Sequence, residues 1–169
     1  MSPVRLPTTR RCAMYCRKSS DEGLEQTFNS LASQRECARA LIQSRRGEGW
    51  TALEEVFEDG GYSGGNTDRP GLQQLLQRID EGGVDVVVVY RLDRLTRSIA
   101  DFGRLFERLQ AKRVDIVSTT ESLDTSTAPG RLMVHLLLSF AQYERELASE
   151  RTRDKIAASK AKGMWMGGN

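Results

Sequence analysis

A serine follows two cations where the first apolar segment ends, in Tyr15-Cys16-Arg17-Lys18-Ser19-Ser20. A second polar cluster, Tyr90-Arg91-Leu92-Asp93-Arg94-Leu95-Thr96-Arg97, follows a run of valines, and a third, Thr67-Asp68-Arg69-Pro70, closes a glycine-rich stretch. A serine hydroxyl is a poor nucleophile at neutral pH and needs a base or a strong local field to react. The single histidine, His135, is remote in sequence, so a serine-histidine-acid relay lacks its base. Arginines grouped around a hydroxyl suit phosphoryl transfer instead, because guanidinium forks cradle non-bridging oxygens and stabilise the charged transition state. No Gly-x-x-x-x-Gly-Lys loop is present, so nucleotide hydrolysis has no support. Taken singly, each cluster has a plain structural reading: Ser19 as a turn or cap residue, Asp93 as helix-capping charge, and Asp68-Arg69-Pro70-Gly71 as a turn entering a helix. Together they suggest one site.

Such a site needs elements that bring three distant segments together. Residues 10–16 read as a strand, residues 53–57 as a second, the valine-rich segment 84–90 as a strand covered on both faces, and residues 114–118 as a fourth. Between them, Ser30 can cap a helix carrying Leu31, Ala38, Leu41 and Ile42 that stops at Gly47. Asp68 and Pro70 open a helix with Leu72, Leu75, Leu76 and Ile79, closed by Gly82-Gly83. Ser98 or Asp101 starts another with Ile99, Phe102, Leu105, Phe106 and Leu109 facing inward. This alternation predicts an α/β fold with an open, mainly parallel sheet flanked by helices. Ligands of such sheets sit off the carboxyl ends of the strands, where the three clusters fall.

Nothing breaks a helix from Gly130 to about Lys162, so a long C-terminal helix of roughly 33 residues and about 50 Å is expected. Its first half is apolar enough to pack, through Leu132, Met133, Leu136, Leu137, Phe140 and Tyr143; its second half must project.

The chain has 169 residues, enough for one domain with a real core, and a formal net charge of +2. The near-neutral total hides a bias: 20 of the 25 cations are arginine, and from Arg151 onward five cations face one anion, Asp154. Arginine's planar fork suits phosphate oxygens. No apolar run approaches the ~18 residues of a membrane span. The first twenty residues carry Arg5, Arg10, Arg11, Arg17 and Lys18 without an apolar stretch, so no secretory signal is expected. Cys12, Cys16 and Cys37 form no disulfide framework and no zinc spacing, and read as small buried apolar residues of a reduced, intracellular protein. His135 reads as a core or interface residue.

The ordered blocks resemble the catalytic domain of the serine recombinases, the resolvase/invertase family, and more closely their large integrase and transposase branch. Tyr15-Cys-Arg-Lys-Ser-Ser20 resembles the nucleophile motif, with Ser19 as nucleophile. Gln34 in Leu-Ala-Ser-Gln-Arg resembles the glutamine of the first helix. Phe57-Glu-Asp59, then Tyr-Ser-Gly and Asp-Arg69-Pro-Gly, resemble the second block; Arg91-Leu-Asp93-Arg94-Leu-Thr-Arg97 resembles the most diagnostic one. Ala141-Gln-Tyr-Glu144-Arg145 through Glu150-Arg151-Thr resembles the start of the long oligomerisation helix. The longer segment 21–29 favours the large branch.

The resemblance implies that Ser19 attacks a backbone phosphate of double-stranded DNA at an attachment site, giving a 5′-phosphoserine link and a free 3′-hydroxyl. Arg17, Arg69, Arg94 and Arg97 are then expected at the scissile phosphate, with Asp93 orienting arginines or moving a proton. Gln34, Asp59 and Arg151 are expected to support the site, and Arg153, Lys155, Lys160 and Lys162 to touch DNA. The resemblance also implies strand exchange in a tetramer built from homodimers, with no metal, no nucleotide, no other cofactor and no membrane, in the cytoplasm of a bacterium or as a phage product. It divides the chain into a catalytic core over 1–128 with a loose leader over 1–9, an oligomerisation and DNA-contacting helix over 129–163, and over 164–169 the start of a linker to missing DNA-binding domains. The glycine loop, residues 60–68, is expected to be mobile without DNA, leaving Arg69 poorly placed. The stripe Leu132, Leu136, Phe140 and Tyr143 is expected to drive self-association. Two alternatives stand beside this reading: a non-catalytic DNA-binding or dimerisation module of the same fold, and a phosphoesterase acting on small esters.

Overall fold

The computed structural model describes residues 8–18, 30–61, 69–96, 98–161 and 163. Strands β1 (Arg10–Lys18), β2 (Trp50–Gly60), β3 (Val86–Val89) and β4 (Asp115–Ser118) form one parallel sheet in the order β2-β1-β3-β4. Helices α1 (Leu31–Ser44), α2 (Pro70–Asp80), α3 (Leu92–Leu95), α4 (Ile99–Ala111) and α5 (Ala128–Ala161) complete it. The expected α/β architecture is therefore present.

Local sequence accounts for the main boundaries. The Ser30 side chain accepts from the Ser33 amide and the Ser98 side chain from the Asp101 amide, each replacing a bond that a helix start lacks. Pro70 occupies the first turn of α2, and Gly82, at φ 76°, turns the chain away after it. β2 runs on through Gly60, so that glycine belongs to a strand rather than to a mobile loop; residues 62–68 lie outside the described residues.

Chain order then dictates the layers. From β1 the chain crosses through α1 to β2 on one side, then through α2 back past β1 to β3, and through α4 to β4. Parallel crossovers are right-handed, so steps in opposite directions put their helices on opposite faces. One core joins Ala13, Tyr15, Phe57, Val87 and Val89 to α2 and α4, while Cys12, Met14, Trp50, Val86 and Val88 pack against Ala38 and Ile42 of α1. The four valines of β3 are buried on both faces, which is why that strand reads as an unbroken apolar run. The direction of winding reverses between β1 and β3, and the carboxyl ends of strands at such a switch point are where open parallel sheets bind ligands.

Helix α5 corrects two expectations. It meets the body through Val134, Leu138 and Ala141, spaced to form one narrow stripe against α4, where Gly103 lets Leu138 approach closely. Leu132, Met133, Leu136, Leu137, Phe140 and Tyr143, expected to pack, are exposed, Phe140 and Leu132 at 60%. They lie on the faces turned away from α4. His135, expected in a core or an interface, is exposed rather than core, which leaves the interface reading, and its ring stands edge-on to Phe106 at 5.8 Å. On α4, Phe102, Phe106 and Leu109 are buried as expected, but Ile99, in the first turn, is exposed. Among the described residues no helix is long and apolar enough to cross a membrane.

Candidate active site

The arginines gather where β1 outruns β3. β1 pairs with β3 only as far as Tyr15 with Val89, whereas on its other edge it pairs with β2 up to Lys18. Past Tyr15 the backbone needs another partner, and Gln34 of α1 supplies it. Its side-chain amide donates to the Arg17 carbonyl at 3.0 Å and accepts from the Arg17 amide at 3.2 Å. Arg17 thus points inward from a fixed backbone. Its Nε donates to the Arg94 carbonyl (3.0 Å) and an Nη donates to the Asp93 carbonyl (2.9 Å).

Arg69, just before α2, shares one of these carbonyls, that of Arg94. It is 0% exposed and donates to the Arg94 carbonyl at 2.9 Å and to the Leu95 carbonyl. Its guanidinium also lies 5.6 Å from the centre of the Tyr15 ring, within range of a cation–π attraction. The expectation that Arg69 is poorly placed is overturned, and the physical reason is Asp59. The Asp59 carboxylate accepts from the Gly71 and Leu72 amides at 2.8 and 2.9 Å, capping α2 from the strand beside it, and from the Tyr15 hydroxyl at 2.8 Å. Gly71 is needed for this approach, since a Cβ there would stand 2.5 Å from the Glu58 carbonyl. Arg69 stands at that capped end of α2.

The short helix α3 carries Asp93 and Arg94. Arg94 is buried; its Nη1 lies 3.4 Å from the Arg17 carbonyl and its Nε 3.6 Å from the Asp93 carboxylate, which is half exposed. The last three carbonyls of α3 are therefore held by guanidinium groups of Arg17 and Arg69. This arrangement escaped the sequence reading, because four residues are too few to show a helical period.

Arg17, Arg69 and Arg94 converge, then, on the carboxyl end of β1, with Gln34 and Asp59 supporting them. Burial raises the Tyr15 phenol far above its ordinary value, against the pull of Arg69 and with the Asp59 bond adding to the rise, so it stays a neutral donor. Backbone carbonyls orient a guanidinium without cancelling its charge. Arg69 is in no ion pair with a carboxylate among the described residues, whereas Arg94 faces the Asp93 carboxylate. Ser19, Arg97 and Lys162 lie outside the described residues. Arg151, expected to support the site, is instead exposed on the projecting part of α5, with no hydrogen bond or ion pair to the other described site residues. Arg153, Lys155 and Lys160 are exposed on the same stretch.

Of the cysteines, Cys12 and Cys16 are buried and Cys37 half-buried, close to expectation. Desolvation pushes the Cys12 thiol up to about 11 and the Cys16 thiol up to about 12, so neither is a thiolate nucleophile near neutral pH.

The family model described as "Resolvase, N terminal domain" matches residues 12–165, most of the chain. The chain belongs to the resolvase family. Among relatives of this resolvase-family chain, the serine recombinase gin of Escherichia phage Mu is 43% identical over 110 residues, covering 65% of this chain and 55% of that protein. The chain thus spans just over half the length of such relatives. The N-terminal catalytic domain of TP901-1 integrase superposes with a TM-score of 0.71 at 34% identity, covering 82% of this chain and 99% of that one. A resolvase-family site-specific recombinase from Streptococcus pneumoniae shares the fold, with a TM-score of 0.69 at 24% identity over 91% of this chain and 99% of the other.

Proposed function

We propose that this resolvase-family chain is the catalytic part of a site-specific DNA recombinase with Ser19 as its nucleophile. The observation that carries the proposal is the meeting of Arg69 and Arg94 with Arg17, which lies two residues before Ser19 in the chain. Grouped guanidinium charge suits a phosphodiester, and the names of the relatives, a serine recombinase and an integrase, support the same chemistry.

In the reaction, the Ser19 oxygen forms a bond to the scissile phosphorus and the bond from phosphorus to the DNA 3′-oxygen breaks. The serine loses its proton and the leaving oxygen gains one, so the products are a 5′-phosphoserine ester and a free 3′-hydroxyl. The ester keeps the energy of the original bond, and attack by a 3′-hydroxyl from another end reverses the chemistry. Arg17, Arg94 and Arg97 stabilise the charge developing on the non-bridging oxygens, with Arg69 adding to the field from behind. The half-exposed Asp93 orients Arg94 or relays a proton.

The partners under this reading are double-stranded DNA and further copies of the same chain, first a homodimer and then a homotetramer, in the cytoplasm. The exposed stripe Leu132, Leu136, Phe140 and Tyr143 is the self-association face; Arg151, Arg153, Lys155, Lys160 and Lys162 serve the DNA backbone.

The test is incubation with duplex DNA carrying the recombination site, followed by a denaturing gel. Wild type should leave a DNA-linked band that survives detergent, and Ser19→Ala should leave none. An undiminished band in Ser19→Ala would overturn the assignment.

A further inference from the structure

The loop after β4 grips the segment that carries Asp93 and Arg94. Thr119 continues the β3–β4 ladder by donating its amide to the Val89 carbonyl at 2.9 Å. One residue on, the Tyr90 carbonyl lies within bonding distance of three hydroxyls, those of Ser118 (3.1 Å), Thr119 (3.2 Å) and Thr120 (2.8 Å). A carbonyl has two lone pairs, so three donors compete for it and it is never left without one. Next in line, the Glu121 carboxylate accepts from the Leu92 amide at 2.8 Å. The Ser118 hydroxyl stands 3.2 Å from the same carboxylate oxygen and accepts from the Glu121 amide at 3.2 Å, so the carboxylate is steered from its own loop.

The Leu92 amide is one of the donors that a helix start leaves unpaired, and Arg91, at the head of α3, offers no side-chain cap. Glu121 fills that role from 29 residues away. α3 is consequently held at both ends: a carboxylate takes its first amide, and Arg17 and Arg69 take its last carbonyls. A single helical turn has almost no stability of its own, so its position is that of its holders.

We infer that Glu121 is a positioning residue of the recombination site: it fixes the first turn of α3 and, through it, the direction in which Arg94 faces the scissile phosphate. The inference rests on the function proposed above. Glu121 acts as a hydrogen-bond acceptor rather than as a charge, so glutamine, whose amide oxygen also accepts, can replace it.

The experiment compares Glu121→Ala and Glu121→Gln in the same chain by two readouts. The first is the rate of detergent-stable adduct formation against DNA concentration; the second is amide hydrogen exchange at residues 92–96. Glu121→Ala should slow adduct formation at saturating DNA about tenfold, the effect of losing one well-placed hydrogen bond. The DNA concentration for half-saturation and the melting temperature should stay as in wild type, exchange over 92–96 should accelerate by a similar factor, and Glu121→Gln should restore both. Glu121→Ala cleaving at the wild-type rate with unchanged exchange would overturn the inference, as would Glu121→Gln failing as badly as alanine. If wild type forms no Ser19-dependent adduct, the proposed function fails, and exchange at 92–96 alone then decides whether Glu121 holds α3.

Discussion

Gln34 satisfies both backbone polar groups of Arg17 with one side chain, donating to the carbonyl at 3.0 Å and accepting from the amide at 3.2 Å. It stands where a strand would if β3 ran further, so the sheet's hydrogen bonding continues after its neighbour has left. Gln34→Leu keeps the volume and removes both bonds, leaving the Arg17 amide buried without an acceptor. A loss of about 2–3 kcal/mol in urea unfolding is expected, because a buried polar group loses its partner without regaining water. Gln34→Glu, which cannot donate to the carbonyl at neutral pH, should fall nearly as far.

Asp59 accepts three hydrogen bonds while 1% exposed, two from the start of α2 and one from Tyr15. Asp59→Ala removes the cap and strands three donors, and should destabilise the fold by about 3 kcal/mol. Tyr15→Phe removes a single bond and should cost about 1 kcal/mol. Measured in one denaturant series, the two variants should be non-additive, since both break the same Tyr15–Asp59 contact.

Phe140 is 60% exposed on α5, in line with Leu132, Leu136 and Tyr143. Phe140→Glu places a charge in the middle of that stripe. Light scattering across a concentration series should find wild type associated, with the variant requiring about tenfold or more protein to associate, as expected when a buried aromatic anchor is replaced by a charge. A strictly monomeric wild type at high concentration would contradict the self-association face.

The base of α5 is tied to the far edge of the fold by Asp124. Its carboxylate pairs with Arg45 at 2.6 Å and accepts from Ser126. Burial opposes its ionisation, but the Ser126 and Arg45 bonds prevail and hold it below the ordinary carboxylate value. A carboxylate with a depressed folded-state value contributes stability above its unfolded value, about 4, and loses it as the pH falls further. Asp124→Asn should therefore be less stable than wild type at neutral pH, by about 1 kcal/mol. That gap should narrow as the pH falls from about 4 towards 2. A gap unchanged over that range would show that the ion pair is not what Asp124 contributes.

The sequence exposed whatever depends on neighbours along the chain. Val86–Val89 announce a strand buried on both faces, and Ser30 and Ser98 announce helix starts, because each signal lies within a few residues of its consequence. Arg69 misled for the opposite reason. The glycines before it suggest looseness, but its place is set by Asp59 ten residues back and by carbonyls of Arg94 and Leu95 across the sheet. On α5 apolar residues occur on every face, and Gly103, on another helix, decides which stripe makes contact. Arg17 was legible as a candidate site residue, whereas its bonds to the carbonyls of α3 were not, since nothing in the spacing from 17 to 94 indicates that the two segments meet there.

The central claim is that this cluster of arginines serves a nucleophile at Ser19. Mass spectrometry of the nuclease-trimmed, trypsin-digested adduct tests it most directly. A nucleotide joined through its 5′-phosphate to the Ser19 side chain is expected, with none on Ser20 and none in the Arg17→Ala protein. A link at any other residue, or an adduct that forms equally well without Arg17, would contradict it.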